Sequence, residues 1–212
     1  MTPFFLGTSQ RRLFGIHTAA ASCGGKPRAA VLCQPWGDEY IYAHRCMRQL
    51  AVRLSLCGFD TLRFDYFGTG DSAGEKGDTD AEGLRADVVT AIETLEDLAA
   101  TDKVTLIGLR AGANVAADVA MRFATGMAAG FRAAIEALIL WDPLRPLDGD
   151  ALPGRTLTLV TQGMRPHELS ILPQGSPAAV EFLPAPCPWI EEASTTGMLP
   201  IRVIQRIEEW LS

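Results

Sequence analysis

Residues 104–117, VTLIGLRAGANVAA, raise the chemical question in this chain. An apolar run reaches Gly108, the turn Gly108-Leu109-Arg110-Ala111-Gly112 follows, and alanine-rich sequence continues beyond it. Strand, glycine turn and helix in that order are the local pattern of a G-x-S-x-G turn, which lifts its central side chain to the end of a sheet. Here the central residue is Arg110. A guanidinium keeps its proton at ordinary pH and is neither nucleophile nor base. It can hold negative charge, and the first N–H groups of the following helix add to that pull. Two uses are open. One is a clamp for a carboxylate, a phosphate or a developing oxyanion. The other is an internal ion pair with Asp142, Asp38 or Glu39. Few other side chains could do chemistry. His44 falls one turn into a helix that begins beside PWGDE, within reach of a pocket there, whereas His17 on an opening strand reads as structural. The five cysteines, Cys23, Cys33, Cys46, Cys57 and Cys187, are scattered and form no C-x-x-C pair, so neither a zinc site nor a disulfide framework is expected.

Apolar runs and their punctuation supply the elements that must position these residues. Strands are expected near 11–18, at 29–33, 60–66, 103–109 and 136–142, and again at 155–163 and 178–184. Helical spacing covers 41–57, 80–99 and 111–128, a short helix is expected around 166–172, and LPIRVIQRIEEWL closes the chain as an amphipathic helix with Pro200 in its first turn. Helices alternating with almost wholly apolar strands predict an α/β architecture, a mostly parallel sheet covered on both faces. The Pro- and Gly-rich link 143–154 is too short for an inserted cap domain.

At 212 residues and 48% hydrophobic side chains, one domain over 1–212 is expected. A net charge of −6 offers no basic face to nucleic acid, and no polybasic run favours an anionic membrane. The start, MTPFFLGTSQRRLFG, is neither a signal peptide nor a membrane span, so a cytoplasmic protein is expected. GTGDSAG lacks the spacing and the following lysine of a phosphate-binding loop, and no cofactor is expected. Asp71 and Ser72 read as hydrogen-bonding residues that fix this loop.

The order VLCQPWGDEYIYAHR, GFDTLRFDYFGTGDSAGE and LIGLRAGA resembles the α/β-hydrolase superfamily, in particular its serine-aminopeptidase-like branch that includes exosortase-associated hydrolases. Asp65-Tyr66-Phe67-Gly68-Thr69-Gly70-Asp71-Ser72 carries the most specific part, as a D-x-x-G-x-G-x-S segment. The resemblance implies the α/β-hydrolase fold, here without a cap, with Arg110 where the nucleophilic serine would stand. It implies an acid after a late strand, for which Asp142 is the best-placed carboxylate. The histidine it implies after the last strand is missing, and Cys187 stands near that place. It also implies an oxyanion-type lining from the loop Gln34, Trp36, Gly37 and Asp38 together with the N–H of Ala111.

Three readings follow. The first is an enzyme acting on a small molecule that bears an acyl or carboxylate group, free or carried on another protein, by non-serine chemistry with Arg110 as anion anchor. The second is a catalytically inactive protein that binds a ligand or partner. The third is a hydrolase or acyltransferase that uses Cys187, with His167 or His44 handling protons, since a nearby cation favours thiolate. Without a cap the pocket mouth is expected to be open, or covered by a second copy or a partner protein.

Overall fold

β1 (Thr2–Gly7) and β2 (Arg12–Thr18) form a hairpin, and six further strands extend the sheet from it. They are β3 (Arg28–Cys33), β4 (Phe59–Phe64), β5 (Lys103–Leu109), β6 (Ala134–Trp141), β7 (Thr156–Thr161) and β8 (Ala179–Leu183). The computed structural model describes residues 1–21, 25–126, 133–145, 147, 151–161, 179–190 and 199–212. The strand order is β1-β2-β4-β3-β5-β6-β7-β8. β2 pairs antiparallel with β1 and β4, and all pairings from β4 to β8 are parallel.

Two helical layers cover the sheet. α1 (Asp38–Leu56) and α4 (Ile201–Leu211) pack one face, where Leu50, Leu54, Val203 and Ile207 meet Leu32, Ile107, Ile139 and Leu157. α2 (Ala81–Ala99) and α3 (Ala111–Ala124) pack the other, where Val88, Ile92, Ala116 and Ala120 meet Val31, Leu62, Leu106 and Leu138. Strands buried on both faces are largely apolar, and Ala29–Cys33 and, apart from Thr105, Val104–Leu109 are. The Asp80 carboxylate caps α2 by accepting from the Gly83 N–H at 2.8 Å.

The structure departs from the sequence reading at several places, one being the end of α3, which stops at Ala124 rather than near 128. β1 is absent from that reading. Its inner side carries only half-buried Phe4 and buried Leu6, with the apolar Phe5 exposed between them, so the sequence shows no apolar–polar alternation, and Pro3 fits an edge strand that needs no donor on its outer side. α1 begins at Asp38 rather than near 41, which puts Asp38 and Glu39 in its first turn, where helices favour acids. Pro200 caps α4 from just outside the helix. The short helix expected around 166–172 lies outside the described residues.

The Gly-rich loop after β4 is held as expected, with one difference of detail. Ser72 Oγ donates to the Asp65 carbonyl and accepts from the Phe14 N–H, while Asp71 contributes its own N–H to the Asp65 carboxylate rather than its side chain. Among the described residues no helix is long and apolar enough to cross a membrane.

Candidate functional site

β5 ends at Leu109, and Arg110 turns the chain into α3 with φ 56° and ψ −121°. A positive φ on a residue with a side chain carries strain of about 1–3 kcal/mol and persists only where the surroundings impose it. Two glycines impose it here. A Cβ on Gly108 would collide with Ala113 and with the Gly112 carbonyl, and a Cβ on Gly112 would collide with the carbonyls of Cys33 and Gln34. The start of α3 is therefore pressed against the loop that leaves β3. Within the turn, the Arg110 N–H donates to the Trp141 carbonyl at 2.9 Å and its carbonyl accepts from the Ala113 N–H at 3.0 Å.

The Arg110 side chain is almost fully buried, the residue being 7% exposed. Its Nε donates to Glu39, at 3.1 Å to Oε1 and 3.4 Å to Oε2, and Nη1 donates to the main-chain carbonyl of Asp142 at 3.4 Å. Its Cζ lies 5.2 Å from the centre of the Trp189 ring, a cation–π contact. Trp189 in turn stands edge-on to Trp141 at 6.1 Å. Of the three acids that could have paired with Arg110, Glu39 does so through its carboxylate, Asp142 contributes its carbonyl, and Asp38 is exposed.

The Asp142 carboxylate is turned instead into the sheet. It is wholly buried, with Oδ1 accepting from the Thr161 N–H at 2.8 Å and Oδ2 from the Thr161 hydroxyl at 2.7 Å. Burial pushes its pKa up to about 6, against the opposing pull of those hydrogen bonds and of Arg110. Thr161 Oγ1 also lies 3.9 Å from Cys187 Sγ. Arg110, Asp142, Thr161 and Cys187 thus form one contact chain along the ends of β5 to β8.

His44 does not join this chain as expected. His44 stands edge-on to Tyr40 at 6.2 Å and faces Arg63 and Asp65 of the β4 end. Desolvation, and then Arg63, hold its pKa below the ordinary value. β3, β5 and β6 separate β4 from the β7 residue that touches Cys187, so the pairing of Cys187 with His44 is not formed. The cause is the rotation of α1, which turns Glu39 toward Arg110 and the following residue, with His44 one turn on, toward β4. His167 lies outside the described residues.

The loop candidates divide in the same way. The close approach of Gly112 to Cys33 and Gln34 brings that loop beside Ala111, the first residue of α3. Gln34 nevertheless turns its side chain to β4, where Nε2 donates to the Phe64 carbonyl at 2.9 Å and to Asp65 at 3.2 Å. Trp36 packs on Tyr66 at 5.9 Å in the α2 and α3 core, and Gly37 caps α1 at φ 70°. Sequence reasoning missed Trp189 and Thr161. No local pattern announces which residues beyond a strand end fold back over a neighbour, although the run PAPCPW contains the tryptophan that does so. A groove of about 1340 Å³ lies elsewhere, at the opposite ends of the strands among Lys26, Arg28, Asp60, Glu96 and Asp102, and contains none of the expected site residues.

No protein-family model matches the chain, and no curated protein matches its sequence. Solved structures do match, over nearly its whole length. An α/β serine hydrolase without a lid from Xanthomonas campestris superposes with a TM-score of 0.75 at 17% identity, covering 99% of this chain and 93% of that one. A serine hydrolase homologue from Coxiella burnetii gives 0.69 at 16% identity, covering 100% and 97%. The chain has the α/β-hydrolase fold. Est1E from Butyrivibrio proteoclasticus, solved with ferulic acid bound, gives 0.71 at 12% identity, covering 98% and 97%. At such identities the likeness speaks for the fold, and function has to be argued from the site. Among the described residues no cap domain is evident, in keeping with the lidless neighbour.

Proposed function

We propose that this hydrolase-fold chain is a binding protein without serine-type turnover, in which the elbow side chain, Arg110, anchors the carboxylate of a small molecule. One observation carries the reading. The residue at the apex of the elbow is an arginine already engaged by a carboxylate, that of Glu39, and by the Asp142 carbonyl. A serine hydrolase needs a nucleophile at this apex and a base beside it. A guanidinium supplies neither, and His44, the one described candidate base, faces the end of β4. What remains suits binding: a fixed cation, a neighbouring helix N-terminus, and an aromatic lid on the guanidinium from Trp189.

The test pairs covalent probes with turnover. A fluorophosphonate probe should label nothing, iodoacetamide should give no labelling of Cys187 that tracks activity, and p-nitrophenyl ester hydrolysis should match that of Arg110→Ala. Fluorophosphonate labelling, or ester turnover lost in Cys187→Ser, would overturn the reading.

A further inference from the structure

We infer that Arg63, Arg48 and His44 form an anion site on the α1 side of β4, and that it takes a phosphate-type dianion. β3 separates this site from the elbow on β5, and it does not rest on the reading of Arg110.

Side chains alternate along β4, so Leu62 and Phe64 enter the α2 and α3 core while Phe59 and Arg63 point to the α1 face. Arg63 is only 2% exposed. Yet among the described residues its guanidinium has no hydrogen bond and no ion pair, and its Nε is fully enclosed without an acceptor. A guanidinium keeps its proton, and a buried charge with no bonded counter-ion is costly. Asp65, two residues on, is engaged elsewhere. Its Oδ1 accepts from the Tyr40 hydroxyl at 2.7 Å and from Gln34 Nε2 at 3.2 Å, and its Oδ2 accepts from the Asp71 N–H at 3.0 Å. It acts on Arg63 across space without bonding it.

α1 brings the other two groups. Tyr40, His44 and Arg48 are spaced by four residues and share one stripe of the helix. The bond from Tyr40 to Asp65 and the ring contact of Tyr40 with His44 lay that stripe over the end of β4, where Arg48 acts on both Arg63 and His44. His44 and Arg48 are exposed, and neither has an ion pair among the described residues. Ile16 of β2, opposite Arg63, is half-buried, and Phe5 of β1 is exposed on the same face, so the sheet beside Arg63 is open to solvent. Two fixed cations and a titratable imidazole, facing one carboxylate that is already hydrogen-bonded, match a dianion better than a monoanion. Proton and anion are linked here. Tyr40, Arg48, Arg63 and Asp65 are the ionisable groups facing His44, and a dianion against the two arginines would favour its protonated form.

The experiment is an NMR titration of the full chain with sodium sulfate, which stays a dianion across the histidine range, at an ionic strength fixed with sodium chloride. The His44 ring and the Arg63 Nε–H are followed, and inorganic phosphate is titrated beside it. Sulfate should saturate and raise the His44 pKa by about 1, so that its binding weakens about tenfold between about pH 5 and pH 8. The ring of His17, held by Asp60 at 2.7 Å, should not respond. Arg48→Gln, a change at an exposed residue, should bind sulfate about tenfold more weakly. Arg63→Gln should not bind it. If Arg63→Gln does not fold, the Arg63 Nε–H signal of wild type decides in its place, since it should move along the same saturation curve as His44. No saturation by wild type, a His17 response equal to that of His44, or undiminished binding by Arg48→Gln overturns the inference. Binding that survives Arg48→Gln but is lost in Arg110→Gln puts the anion at the elbow, which overturns this site and leaves the reading of Arg110 standing.

Discussion

Asp142 is a carboxyl group held where water does not reach, and its proton is expected to govern stability. Its pKa is raised to about 6 from an ordinary 3.8, so the folded state binds the proton more firmly than the unfolded chain. The stabilisation is therefore full below pH 3.8 and is lost as pH rises through about 6. An asparagine in its place would keep the Thr161 partners and cannot ionise. Urea denaturation of wild type and Asp142→Asn should thus show the stability difference shifting toward the variant by about 2 kcal/mol between about pH 4 and pH 7. A difference that stays flat across that range means that residue 142 does not titrate there. At this scale the sequence indicated the reactive side chains but not their partners. Arg110 was legible from the turn around it, and Glu39 was one of three acids within expectation. That Asp142 offers Arg110 its carbonyl and Thr161 its carboxylate depends on its φ of 45°, which no residue pattern specifies.

The elements that form the site were the most legible part, because strands buried on both faces leave an uninterrupted apolar run. The misreadings came where burial is one-sided or absent. β1 buries one residue of six, and the first turn of α1 carries acids rather than part of the apolar stripe. The latter matters for the site, since it is the early start of α1 that carries Glu39 to Arg110. The junction of β5 and α3 depends on a contact with no room for a side chain. Gly112→Ala should destabilise the protein by about 3 kcal/mol, because the added carbon meets two backbone carbonyls of the β3 exit and neither can move aside. Gly154→Ala, where a Cβ meets nothing within 4 Å, should leave the denaturation midpoint unchanged. Equal effects of the two would mean that the elbow does not press on the β3 loop.

Across the whole molecule, α1 and α3 lie on opposite faces of the sheet and share no core cluster. Yet the first turn of α1 holds Glu39, and Arg110 immediately precedes α3. Their ion pair therefore runs over the rim of the sheet and ties one layer to the other, like a stitch through the hem of a three-ply cloth. Glu39→Gln should loosen that stitch without opening either core. Hydrogen exchange should then quicken at residues 38–43 and 111–115 together, while the amides of Leu106 and Val31, deep in the strands, keep their protection. Quickening confined to one helix would mean that the layers are held independently. Breaking that one contact would be felt on both faces of the sheet as a change in stiffness, with no strand having to move.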